Sequence, residues 1–167
     1  MTAREIEILN WFKDLWPGPA VRQTAWLFAT GESLHFIGLC LLFGGLIFVD
    51  LRLLGFYKKI PVKQALAFLP WVVIGFSINA ATGWLFFTAN PMSYWQNTAF
   101  KVKLALILFA GLNALYFTVM EHRHVAHLGP GEDTTRLTKI SAGLSLAAWL
   151  GVLVLGRLLP IFTISQN

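Results

Sequence analysis

Residues 32–55 read ESLHFIGLCLLFGGLIFVDLRLLG. Between the pair Glu32 and His35 and the pair Asp50 and Arg52, no residue carries a charge. A helix needs roughly 20 apolar residues to cross a hydrocarbon core, and 34–54 supplies that length. Lipid offers backbone amides no partner, so a spanning segment must satisfy its own hydrogen bonds. The period-two alternation of a barrel strand is absent, which leaves a helix. Three further stretches, 65–89, 104–120 and 140–161, have the same character. Over all 167 residues 56% are hydrophobic and 13% are charged, with a mean hydropathy of +0.64. An average soluble domain is about 25% charged. This balance excludes disorder, fibrous repeats and most soluble folds. The expected fold is all-α: a four-transmembrane-helix bundle in a single integral membrane domain over 1–167, with an amphipathic N-terminal interfacial helix within 1–31.

Glycine and proline mark the links. Pro61 stands between spans one and two, Asn90-Pro91 opens the second link, and Gly129-Pro130-Gly131 with Glu132 and Asp133 forms the third. Glu5, Glu7 and Asp14 are incompatible with the apolar heart of a signal peptide. Ile6, Leu9, Phe12 and Trp16 recur at helical spacing, the pattern of a helix lying at headgroup depth. Residues 20–31 form either a second surface helix or an extension of span one.

The formal charge is +5. A basic chain can signal nucleic acid, but positive loops of a membrane protein account for it without that partner. Arg52, Lys58, Lys59 and Lys63 crowd the first loop, and Arg123, Arg136 and Lys139 lie about the third. The expected location is the bacterial inner (plasma) membrane, with loops one and three cytoplasmic and both termini periplasmic. The single cysteine, Cys40, lies in an apolar run and reads as a small hydrophobe.

Ionisable residues inside a membrane are costly, and so they are candidates for function. The expected topology brings Glu32, His35, Lys103 and Arg157 to one depth at the periplasmic end, with Asn90, Met92, Trp84 and Trp95. His35, Gly38, Leu42, Gly45 and Val49 make one stripe of a helix. Gly75, Asn79 and Gly83 mark span two, Ala110 and Asn113 span three, and Gly143, Ala147 and Gly151 span four. Such small residues let helices approach closely, within the chain or in a homodimer. Asn79 and Asn113 are expected to hydrogen-bond between helices.

Two readings of the polar layer stand side by side. In one, His35 pairs with Glu32 or a backbone carbonyl and fixes packing. In the other, His35 ligates haem b, with Gly38 leaving room for the macrocycle and Lys103 and Arg157 neutralising propionates or a quinone headgroup. A bis-histidine site within one chain is excluded, because His122, His124 and His127 belong to the far end. The ways out are His35 paired across a homodimer, an open fifth-only ligation, or a second ligand such as Met92, and His35 with Met92 also suits copper. The EHRHVAH stretch is a metal cluster or a solvated helix end. Asp50 and Arg52 are a solvated boundary pair or an anchor for the third loop.

The stretch at 32–55, with TANPMSYWQNTAFKVKLALILFAGLNALYF at 88–117 and SLAAWLGVLVLGRLLPIF at 145–162, resembles a family of uncharacterised bacterial four-helix integral membrane proteins. Glu32, His35, Gly38 and the DLRLLG segment carry the resemblance, supported by Asn90-Pro91, Lys103, Asn113 and Gly156-Arg157. It implies architecture and no particular chemistry. A looser likeness to the membrane domain of copper-resistance D proteins implies a metal or redox role. No complete catalytic constellation is visible. The leading expectation is therefore a small redox or electron-transfer membrane protein holding haem b or copper at His35, with Glu32, Lys103, Arg157, Asn90 and Trp95 around it and a quinone or membrane subunit as partner. The alternatives are a non-catalytic subunit or scaffold of a larger membrane complex, and a small-anion carrier.

Overall fold

Four long apolar helices form the body of the molecule in the computed structural model, which describes residues 1–164. They are α3 (Ala25–Leu54), α5 (Leu69–Ala89), α7 (Thr98–Tyr116) and α9 (Arg136–Ile164). All four are long and apolar enough to cross a membrane; short α4 (Val62–Leu66) extends the second at its start. Amphipathic α1 (Ala3–Asp14) and short α2 (Gly18–Gln23) precede them, α6 (Pro91–Gln96) bridges α5 and α7, and α8 (His122–Val125) follows a π-turn at Phe117–Glu121. Among the described residues there is no strand.

Residues 20–31 do both things expected of them: α2 is a separate surface turn, and α3 begins at Ala25, nine residues before the expected start at 34. The third span also runs beyond 120, because the π-turn carries the helix on to Val125. A π-turn admits an extra residue without breaking the helix.

Helix α3 is central. It packs along α5 and along α9, and α9 in turn packs along α7. The α3–α5 seam is tight because glycines face each other. A Cβ on Gly38 would lie 2.7 Å from Asn79 Nδ2 and 3.0 Å from the Gly75 carbonyl, and one on Gly45 would lie 2.6 Å from Val72. On α9 the buried stripe is Thr138, Ser141, Ala142, Ser145, Ala148 and Val152, a different face from the Gly143–Ala147–Gly151 row read from the sequence. Ala147 is exposed, while Gly151 touches Leu106 of α7. Asn113 hydrogen-bonds between helices as expected, to Ser141 of α9 at 3.0 Å. Asn79 instead returns to its own helix at the Gly75 carbonyl, 2.9 Å away.

At the end away from the termini, Arg52 is fully buried. Its guanidinium donates to the carbonyls of Ile60 (2.6 Å), Glu132 (3.2 Å) and Gly129 (3.4 Å). It is thus the anchor for the third loop, and the solvated alternative is overturned. Asp50 is buried as well and faces Ser145 of α9.

Outside this knot, Asp133 takes Lys58 and Lys139 at 2.8 Å each. These cations, Lys139 first, hold its carboxyl well below the ordinary 3.8. A carboxylate depressed on folding contributes stability above its unfolded pKa and loses it as pH falls through the folded value. The clasp is therefore expected to hold from neutrality down to about pH 4 and to open only in stronger acid. Amide exchange of residues 55–61 against pH measures this; loss of protection already between about pH 5 and 7 would contradict it.

Candidate functional site

The termini end is capped by the N-terminal helices. Thr2 and Glu5 form a reciprocal cap: Glu5 Oε2 accepts from the Thr2 amide at 2.6 Å, and Thr2 Oγ1 accepts from the Glu5 amide at 3.3 Å. Leu9 is buried. Phe12 meets Trp84 and Phe87 edge to face at 5.8 and 5.5 Å. So α1 packs on the bundle through Leu9 and Phe12, while Ile6 and Trp16, read on the same stripe, are exposed, as is Trp11. Arg22 donates to the carbonyls of Lys13 (2.8 Å) and Thr88 (3.2 Å), tying α1 and α2 to the end of α5. The Gly18 backbone lies directly against the Thr88 carbonyl, where no side chain fits.

Under this cap, the His35 ring is half-buried. Its Nδ1 lies 2.7 Å from Thr82 Oγ1, whose own hydroxyl donates to the Ile78 carbonyl at 2.7 Å. In the arrangement where Thr82 donates to Ile78, the His35 Nδ1–H donates to Oγ1 and Nε2 keeps its lone pair. No hydrogen bond engages Nε2 among the described residues. An imidazole oriented in this way is the form in which histidine ligates metals. The ring also meets Phe86 at 5.6 Å, edge to face.

Of the residues read from the sequence, Lys103 comes close enough for its charge to act on His35. Its chain lies over Gly156, 3.4 Å from where a Cβ would stand. Arg157, the next residue, is exposed, with no ion pair among the described residues. Glu32 is exposed on α3, and its charge reaches Tyr94 on α6. Burial pushes the Tyr94 hydroxyl up, and the nearby Glu32 carboxylate adds to that shift. Trp95 is partly exposed beneath Lys101, whose ammonium sits 5.4 Å from the ring centre. Met92 is half-buried on α6, and nothing ties it to His35. The polar layer therefore shares one end of the bundle without closing on one point.

Space exists beside it. A cavity of about 240 Å³ is lined by Phe28, Phe86, Tyr94, Asn90, Ser93 and Asn97, together with Ala89 and Leu159. Asn90 caps α6 by accepting the Ser93 amide at 3.4 Å, and its Nδ2 has no partner among the described residues. Ser93 Oγ and the Tyr94 hydroxyl likewise have no hydrogen-bond partner among the described residues. Asn97 is committed to the Leu159 carbonyl and the Ala99 amide, at 3.0 and 2.9 Å. Sites enclosing drug-sized ligands measure roughly 300–1,000 Å³, so this cavity admits a single substituted ring and no haem. Gly38 opens no space for a macrocycle either, since Ile78, Asn79 and Gly75 close over it.

Among the described residues no three His, Cys, Asp or Glu side chains gather into a metal-binding set. His122, His124 and His127 lie at the opposite end, and His124 Nδ1 engages the Met120 carbonyl at 2.8 Å. Sequence reading missed Ser93 and Tyr94; the signal for them was the Asn-Pro helix start, which turns a short aromatic helix over the end of α5. Set against known proteins, the chain matches no family model, no curated protein and no solved structure.

Proposed function

We propose that this is an integral membrane protein that binds a quinone-type redox ring at the end carrying its termini. One observation carries the reading. Three residues with a polar side-chain group unpaired among the described residues, Asn90 (Nδ2), Ser93 (Oγ) and Tyr94 (Oη), line a ring-sized cavity together with Phe28 and Phe86. Aromatic walls accept a flat ring face to face or edge to face. The free donors suit the two carbonyl oxygens that distinguish a quinone from other apolar rings. The cavity lies where residues of α3, α5, α6 and α9 meet. His35, behind Phe86, and Lys103 give the surroundings a basic side, and Glu32 beside Tyr94 an acidic one.

Quenching of intrinsic tryptophan fluorescence by a short-chain ubiquinone tests this in detergent. Saturable binding is expected, weakened about tenfold in Ser93→Ala/Tyr94→Phe, which deletes two hydroxyls and little volume. The reading fails if quenching does not saturate, or if the double variant binds as tightly as the parent. It also fails if the purified protein carries a Soret band or stoichiometric copper in place of quinone, which would favour haem or copper on His35 Nε2.

The scaffold alternative draws on another observation: only 11% of the most apolar window of the third span is buried, against 33% for the first. Under that reading, His35→Ala disturbs folding or assembly without any spectral change, and quinone quenching does not saturate.

A further inference from the structure

At the opposite end of the bundle an open cavity of about 660 Å³ lies between α4 and α8. Its lining divides by chemistry. Lys63, His122, Arg123 and His127 are basic; Leu66, Ala67 and Ala126 are apolar; no carboxylate contributes. Lys63, Arg123 and His127 have no hydrogen bond or ion pair through their side chains among the described residues. The ion pairs described at this end employ Lys58 and Lys139 instead, both on Asp133. The acidic residue closest in sequence, Glu121, is turned away. Its carboxylate accepts from Thr138 at 2.6 Å and Thr135 at 3.1 Å, on the α9 side.

The π-turn allows this division. Its wide turn lets Glu121 face α9 while the next residues, His122 and Arg123, face α4. The frame is fixed by packing. Val62, Leu66 and Val125 belong to one buried cluster, and the Val62 amide donates to the Leu128 carbonyl at 3.1 Å. Lys63, Arg123 and His127 are exposed, and a cluster of basic side chains with no carboxylate among them, held on a packed frame, attracts an anion.

Depth selects the anion. The second and third spans, Val62–Ala89 and Thr98–Val125, each have 28 residues. At about 1.5 Å per residue each reaches at most about 42 Å, the turn after α4 and the π-turn shortening this somewhat, against a hydrocarbon core of about 30 Å. Lys63 and Arg123 stand at the ends of these spans, so they reach the layer of lipid phosphates. Basic pockets between spanning helices at that depth recognise anionic headgroups, and the apolar side of the lining continues toward the acyl chains.

We propose that this cavity binds the phosphate of an anionic phospholipid, with Lys63 and Arg123 on the phosphate and the lipid's glycerol and upper acyl region along Leu66, Ala67 and Ala126. The site is separate from the ring cavity and does not depend on it.

Native mass spectrometry of the full-length protein, released from detergent after exposure to dioleoyl phosphatidylglycerol, dioleoyl phosphatidylcholine or inorganic phosphate, tests this. Phosphatidylglycerol is expected to stay bound at least about tenfold more than phosphatidylcholine, and Lys63→Gln/Arg123→Gln to lose that excess. Lys63→Arg/Arg123→Lys should retain it, and so should Lys59→Gln, a change outside the lining. Equal retention of the two lipids, or unaltered phosphatidylglycerol binding in the neutralised variant, would overturn the proposal. So would binding of inorganic phosphate that needs Lys63 and Arg123 without any lipid preference, since the site would then serve a soluble anion.

Discussion

Replacing Arg52 by Ala is expected to destabilise the protein by about 3–5 kcal/mol, a larger loss than any other single change at the loop end. The guanidinium is fully buried and donates to the carbonyls of Ile60, Glu132 and Gly129. A hydrogen bond with one charged partner contributes about 1.5–3 kcal/mol, and a buried acceptor left alone adds its own desolvation penalty. Three carbonyls would lose their donor together, and the 3.4 Å contact to Gly129 counts least. Arg52→Lys keeps the charge but not the fork that reaches two loops from one position, so about half the loss should persist. In a chain of this size the alanine variant should melt roughly 10 °C lower. An unchanged midpoint in detergent would mean that the loops are held by other contacts.

The second large effect is expected at Gly75. A Cβ there would stand 2.5 Å from the Leu42 amide nitrogen and 2.6 Å from the Gly38 carbonyl oxygen. Both are backbone atoms of α3, so no rotamer can relieve the clash, and the two helices must separate. Overpacking of a close-packed interface costs about 1–3 kcal/mol, more where the backbone must move. Gly75→Ala should lie at the upper end of that range, and Gly75→Leu should fail to fold. Gly83→Ala, on the same helix with nothing within 4 Å, is the control. It should be neutral or slightly stabilising, because alanine is the better helix former by about 1 kcal/mol. Equal melting of the Gly75→Ala and Gly83→Ala variants would contradict the packing of α3 on α5. Separation should also break the bond between His35 and Thr82, two turns further along the seam.

The contrast between these glycines marks how far the sequence was legible. Four spans followed from length and composition, because lipid leaves a chain few alternatives. Gly38, Gly45 and Gly75 could be read as contacts because they sit on helical stripes. Gly83 was read on the same stripe as Gly75 yet faces open space, because eight residues carry it about 80° round the helix, while Thr82 beside it keeps the contact with α3. The early start of α3 was hidden by Trp26 and Phe28, which suit an interfacial surface as well as a spanning helix. The π-turn has no glycine or proline to announce it; it follows from where Glu121 finds Thr135 and Thr138.

Long-range partners were the least legible. Arg52 looks like a boundary charge until Ile60, Gly129 and Glu132 are brought around it, and those residues lie up to 80 positions away. Charge at equal depth also proved a weaker guide than charge on a shared face. Gly156 lies against Lys103, so Arg157, about 100° further round the helix, is exposed. Asn90-Pro91 was read as the opening of a link; Asn90 instead caps α6, and that short helix brings Ser93 and Tyr94 to the cavity lining.

The reading of the termini end rests on the cavity under α6 being a ligand site. Photolabelling the purified protein with an azido-quinone, followed by peptide mapping, tests it most directly. The account predicts that label, displaced by unlabelled quinone, falls on residues 86–97, with Tyr94 the principal position. Displaceable label on the outer face of α7 or at residues 119–127, with residues 86–97 unmodified, would contradict it.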